Sequence, residues 1–207
     1  MDLYETLRGK WGDGTRPKDL YEAYISIEPE RYLDLLISGL DSDERRVQTG
    51  SSELVALLSE EHPEMLAQNI DKFIGNLGVK EPVLRWEATC TLGNLAVVDS
   101  EKKIPTVLNV LYPFLEHKSI VLANHTVQAL SKIAVHNPEK AEEILDKLIE
   151  KSPLFKKTTV GFIIEALSRY MEYDELHPKI KTFVEPFLES EMKVVATKAK
   201  RTLKKLG

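Results

Sequence analysis

A Leu-x-x-Leu/Ile signature returns about every 37 residues along this 207-residue chain. It reads Leu54/Leu57, Leu92/Leu95, Leu130/Ile133, Leu167/Tyr170 and Leu203/Leu206, in steps of 38, 38, 37 and 36. A helical unit repeated at that interval implies a solenoid, because one unit cannot bury its apolar face until a neighbour covers it.

Leucine spacing of three and four recurs throughout, and the strict alternation of a half-buried strand is nearly absent. Proline marks many helix starts. Pro29, Pro63 and Pro138 are each followed by Glu (Glu30, Glu64, Glu139), and Pro178 follows His177. Proline at the first helical position gives up only an N–H that has no partner there. An acid beside it suits the positive end of the helix dipole.

These starts predict five antiparallel helix pairs. First helices are expected at about 29–40, 63–77, 102–116, 138–151 and 177–189. Second helices are expected at about 44–60, 81–98, 119–136, 154–172 and 191–206. The turns within pairs, such as Asp41-Ser42-Asp43 and Gly78-Val79-Lys80, are short enough to hold paired helices side by side. The tetrapeptide Pro-Phe-Leu-Glu occurs at 113–116 and again at 186–189, 73 residues on and late in a first helix both times. Proline there removes a backbone hydrogen bond and is expected to bend the helix.

Residues 1–28 differ. Leu3, Tyr4 and Leu7 form one short stripe, residues 9–14 read as a loop, and Pro17 to about Ile27 reads as a helix burying Leu20, Tyr21, Tyr24 and Ile25. This segment is expected to cap the end of a continuous array spanning 29–207.

The second pair reads Val83-Leu84-Arg85-Trp86-Glu87-Ala88-Thr89-Cys90-Thr91-Leu92-Gly93-Asn94-Leu95-Ala96. This resembles the HEAT repeat, whose second helix runs roughly Val-Arg-x-x-Ala-x-x-x-Leu-Gly-x-Leu, with Leu84 as an extra residue. The first pair is similar through Asp43-Glu44-Arg45-Arg46-Val47, with Gly50 at the small position, and the third through Ala129-Leu130 and Ile133-Ala134. The third, fourth and fifth pairs lack the arginine. The resemblance covers about 29–207 and implies an all-α, right-handed superhelix of the armadillo/HEAT type. It also implies Asp–Arg links between neighbouring repeats and a scaffold or adaptor role, with second helices lining a concave side.

A helix turns about 100° per residue, so positions two before and two after the recurring leucine point away from it. Two before lie Ser52, Cys90, Gln128, Glu165 and Arg201; two after lie Ala56, Asn94, Lys132, Arg169 and Lys205. Six before lie Gln48, Trp86, Asn124, Gly161 and Thr197. The expected partner-binding surface comprises Trp86, Cys90, Asn94, Gln128, Lys132, Glu165, Arg169, Arg201 and Lys205. A solvated face without a dedicated partner is the alternative, and Trp86 serves equally well as packing against the next repeat.

The net charge is −5, which argues against a generic nucleic-acid binder. Charge is nevertheless uneven: residues 1–60 hold 13 acids and 7 bases, whereas residues 151–207 hold 7 acids and 12 bases. A basic end could be a solvated cap, could attract an anionic partner such as an acidic peptide or a nucleic acid, or could associate head to tail with an acidic end. The lone Cys90 excludes an internal disulfide and a thiolate zinc cluster, and fits a reducing cytoplasm. The N-terminus lacks the order of a signal peptide, and no apolar run approaches the roughly 20 residues that span a bilayer.

No metal or cofactor is expected. His62, His117, His125, His136 and His177 form no ligand pair, and the glycines at 9, 12 and 14 lack the lysine of a phosphate loop. No Gly-x-Ser-x-Gly elbow occurs. The expected function is therefore non-catalytic binding of a protein or peptide, by a monomer or weak self-associate that engages no membrane. The enzymatic alternative comes from the resemblance, since some HEAT-like solenoids are DNA glycosylases acting on alkylated bases. Trp86 with Glu87, joined by Lys132, Arg169 and Lys205, would be the nearest candidates; net acidity counts against them.

Overall fold

The protein is an all-α solenoid, described by a computed structural model for residues 2–155 and 160–207. It divides into two compact units, 1–103 and 104–207.

In the first unit, α1 (Leu3–Arg8) is capped by the Asp2 carboxylate, which accepts from the backbone of Tyr4 and Glu5 at 3.1 Å. A short α2 (Pro17–Leu20) runs into a π turn at Tyr21–Ile25. Leu3, Leu7, Leu20, Tyr21 and Ile25 are buried as the sequence implies, but Tyr24 is exposed, because the wider π turn rotates it outward. Next come α3 (Pro29–Gly39) and α4 (Arg45–Glu61). A 3-10 turn (Pro63–Asn69) leads into α5 (Ile70–Asn76), and α6 (Pro82–Leu95) completes the unit.

Within each of these pairs the first helix packs on the second, α3 on α4 and α5 on α6, while α4 also lies along α6. Close approach of α3 to α4 depends on Gly39, since a Cβ there would lie 2.1 Å from Ser51 Oγ. Gly50 leaves room for Leu7 and Trp11, which dock the N-terminal segment on α4.

In the second unit the first helix is broken into a 3-10 turn (Ile104–Val107), α7 (Leu108–Leu111) and a second 3-10 turn (Tyr112–Glu116). It starts at 104 rather than 102 because Lys102 has a left-handed backbone (φ 55°), which no right-handed helix contains. Then follow α8 (Ile120–His136), α9 (Pro138–Lys151), a 3-10 turn (Ser152–Leu154), α10 (Val160–Leu167), a 3-10 turn (Asp174–Leu176), α11 (His177–Val184), a 3-10 turn (Glu185–Glu189) and α12 (Lys193–Lys205). Both Pro-Phe-Leu-Glu segments therefore tighten the chain into a 3-10 turn. Pro113 and Pro186 each follow the first residue of that turn, where a missing N–H costs nothing. The second helices again form a layer, α8 beside α10 and α10 beside α12.

Two expectations need correction. First, α10 is shorter than 154–172. Residues 156–159 lie outside the described part, and α10 ends at Leu167. The backbone N–H groups of Ser168, Arg169 and Tyr170 turn to carbonyls three residues back, which sinks Tyr170 fully into the core against Tyr173, ring centroids 5.8 Å apart. Arg169 consequently stands in a turn, not on a helix.

Second, the repeat register in α4 is one residue later than the leucines suggest. Ser52 and Ala56 are buried, while Glu53 and Leu57 reach the surface. Val55 and Leu58, both buried, are thus the true counterparts of Leu92/Leu95. Hydrogen bonds between neighbouring second helices agree. Asn94 Nδ2 reaches Ala56 O (3.4 Å), Arg169 reaches Ser131 Oγ (3.1 Å) and Lys205 reaches Ser168 Oγ (3.4 Å). In each, the position two after the reference bonds the position one after it in the preceding repeat, provided Val55 is the reference.

The implied Asp–Arg links take another form. Arg8 pairs with Glu44 at 2.7 Å and Arg45 with Glu81 at 2.8 Å, while Asp41 pairs with Lys72. These pairs are largely exposed, so each contributes at most about 1 kcal/mol and guides register more than it stabilises.

Two buried tyrosines offer a direct test of packing. The Tyr173 hydroxyl donates to the Ala134 and Val135 carbonyls (2.9 and 3.0 Å), whereas Tyr170 Oη has no hydrogen-bond partner among the described residues. Losing a made bond costs about 1 kcal/mol, while removing an unsatisfied buried hydroxyl is neutral or favourable. Urea unfolding should therefore show Tyr173→Phe less stable by about 1 kcal/mol and Tyr170→Phe unchanged or more stable.

Candidate binding surface on the second helices

With the corrected register, a stripe of partly exposed residues runs along each second helix. In the first unit it comprises Glu53, Leu57 and Glu60 on α4, and Trp86, Glu87, Cys90, Asn94 on α6. Of the expected residues here, Trp86, Cys90 and Asn94 are all half-buried on α6. Asn94 is committed to structure: its amide donates to Ser59 Oγ at 2.8 Å, holding α6 to α4.

Trp86 and Glu87 form a unit of their own. The indole Nε1–H donates to Glu87 Oε1 at 2.8 Å. Burial pushes the Glu87 carboxyl from the ordinary 4.5 up to about 7; the Trp86 hydrogen bond opposes this, and the nearby Glu53 charge adds to it. Burial also raises Glu53. Glu87 makes no ion pair with any described residue, although a desolvated carboxylate is stable only beside a cation or protonated. The register error hid Glu53 from the sequence reading. Its only signal was that Leu54-Val55 offers two equally apolar residues as the reference.

In the second unit, α8 places Gln128 and Lys132 on the stripe, both half-buried. His125 joins them one turn before, held below its usual pKa by burial. Glu165 on α10 and Arg201 and Lys205 on α12 come together around one cavity of about 250 Å³, with Ser168, Lys198 and Thr202 completing its wall. Lys198 pairs with Glu165 at 2.7 Å. Arg169 lies on the adjoining turn and is a tether to α8 through Ser131. Sequence reasoning missed Ser168, one residue after its reference leucine, and Lys198, five before its own, because neither falls in the two rows chosen.

No group of three or more potential metal ligands occurs among the described residues, and no helix there is long and apolar enough to cross a membrane. Cys90, the chain's single cysteine, is half-buried.

The sequence matches no family model and no curated protein. Solved structures are nevertheless similar in fold across the whole chain. A designed armadillo repeat protein, YIII(Dq)4CqI, superposes with a TM-score of 0.67 at 15% identity, covering 99% of this chain and 98% of that one. An engineered protein from the Northeast Structural Genomics Consortium gives 0.69 at 18% identity, covering 100% and 98%. The designed armadillo repeat protein YIII(Dq.V1)4CPAF, solved in complex with the peptide (KR)4, gives 0.67 at 17% identity, covering 99% and 90%. The fold is that of an armadillo/HEAT-like helical repeat.

The Glu87 environment has a measurable consequence for stability. The folded protein keeps this proton to about pH 7, while the unfolded chain releases it near 4.5. Between those values the folded state binds more protons, so the cost of Glu87 to folding grows as pH rises and is complete above pH 7. Glu87→Gln, which preserves an acceptor for Trp86, should leave stability unchanged near pH 4 and raise it by about 1–3 kcal/mol at pH 8. Denaturant melts of both proteins across that range check this.

Proposed function

We propose that this protein is a non-catalytic peptide-binding scaffold whose second-helix stripe takes an extended segment of a partner. In the first unit it would receive a lysine or arginine side chain against Trp86, Glu87 and Glu53. The supporting observation is the Glu87 carboxylate, withdrawn from water beside an indole and lacking an ion pair. A guanidinium or ammonium placed there supplies the missing counter-charge beside the indole. Asn94, Cys90 and Leu57 extend the same stripe along the helices.

The similar designed protein lends support, since a protein of the same kind of fold is solved in complex with the basic peptide (KR)4. A scaffold of this kind needs no cofactor and performs no reaction. The lone thiol, Cys90, suits a reducing compartment such as the cytoplasm.

Binding a cation favours the ionised form of Glu87, so complex formation should release a proton below pH 7. A fluorescein-labelled peptide of alternating Lys and Arg should bind more tightly at pH 8 than at pH 6 in an anisotropy titration. Glu87→Gln and Trp86→Ala should each weaken it by about tenfold, in line with one charge-assisted contact. Failure to bind at low salt, or equal binding by the Gln variant, would contradict the proposal. A DNA duplex in parallel tests the repair-enzyme alternative, which requires binding that falls steeply with salt.

A further inference from the structure

Three cations share one face of α12: Lys198, Arg201 and Lys205, at i, i+3 and i+7. Like charges at these spacings repel, and a helix carrying them gains from an anion that lies among them. They line the 250 Å³ cavity together with Glu165, Ser168 and Thr202.

The cavity is built, not merely lined by mobile side chains. Gly161 on α10 has no side chain, and a Cβ at this position would lie 3.3 Å from Lys198 Cδ. The Lys198 stem therefore lies across α10, with its ammonium 4.6 Å from the centre of the Phe162 ring and 2.7 Å from Glu165. Thr202 directs its hydroxyl into the Ile164 carbonyl at 2.9 Å and so joins α12 firmly to α10. Glu165 satisfies Lys198. Arg201 forms no ion pair with any described residue, and Lys205 makes only a long contact of 3.4 Å to Ser168 Oγ. Two cations and a hydroxyl thus converge on the cavity with their hydrogen-bonding capacity largely unspent.

We infer that this cavity is an oxyanion pocket that receives a carboxylate or phosphate group from an acidic peptide segment. The planar Arg201 fork supplies two parallel donors, Lys205 a point charge, and Ser168 a neutral donor. The size and chemistry favour a peptide over a nucleic acid. Among the described residues no aromatic side chain lines the cavity to stack a base, and Lys198 to Lys205 spans only about 10 Å of helix, enough for one or two anionic groups. The pocket lies in a different unit from Trp86 and Glu87 and takes the opposite charge, so it stands apart from the basic-peptide reading.

Isothermal titration of the full chain tests the pocket with four probes at two salt concentrations: a glutamate-rich peptide, the same peptide with phosphoserines, a neutral scramble, and a ten-nucleotide single-stranded DNA. Either anionic peptide should bind and the scramble should not; the stronger of the two identifies the source of the oxyanion. Arg201→Gln/Lys205→Gln, both exposed and outside the core, should weaken the anionic peptide by about tenfold or more and leave the Lys-Arg peptide unaffected. Gly161→Ala, which displaces Lys198 without removing a charge, should give a smaller loss of the same sign. The inference is overturned if neither anionic peptide binds, if the double variant binds as well as the parent, or if DNA binds more tightly than both peptides.

Discussion

Everything in this structure follows from the burial of one apolar seam per repeat. Val55/Leu58, Leu92/Leu95, Leu130/Ile133 and Leu167/Tyr170 are all essentially inaccessible to water. Fully burying one such side chain contributes on the order of 1.5–3 kcal/mol, and an isolated helix pair could bury few of them. Neighbouring second helices within each unit must therefore lie side by side. Once they do, their rotation is fixed, and so is the identity of the residues left outside.

That constraint also decides which residues along the stripe are taken up by the fold. Asn94 on α6 donates to Ala56 O and Ser59 Oγ on α4, and Arg169, in the turn after α10, donates to Ser131 Oγ on α8. They hold the layer together at its surface. Between them stand groups that the fold does not need: Trp86 and Glu87 in the first unit, Arg201 in the second. Charge on the stripe is acidic in the first unit, through Glu53, Glu60 and Glu87, and basic in the second, through Lys132, Lys198, Arg201 and Lys205. Side-chain chemistry thus gives the stripe of each unit its own charge.

Much of the architecture could be read from the chain. The prolines at 29, 63 and 138 do begin helical segments, and the 37-residue interval does mark stacked helix pairs. What escaped was decided by tertiary contacts. Leu54 and Val55 are both buried, so periodicity could not choose the reference, and that one-residue ambiguity concealed Glu53. Tyr170 was assigned to a helix by its spacing, yet its burial against Tyr173 is achieved by a tighter turn. Lys198 entered the cavity because of the space above Gly161, a relation between residues 37 apart that no local pattern encodes. The stripe itself was legible, as exposure opposite a buried seam is a matter of helical geometry. The unpaired carboxylate within it was not, because desolvation depends on what α4 places beside α6.

The chain has only two tryptophans, and they report on opposite sides of the central claim. The Trp11 indole donates to Leu7 O at 2.9 Å and packs on α4 at Gly50, whereas the Trp86 indole donates to Glu87 on α6. A two-dimensional 1H–15N spectrum resolves both side-chain N–H signals. On addition of a Lys-Arg peptide at pH 7, the Trp86 signal should shift with saturating dependence while the Trp11 signal stays in place. A stationary Trp86 signal, or equal movement of both, would contradict a recognition surface built on the second helices.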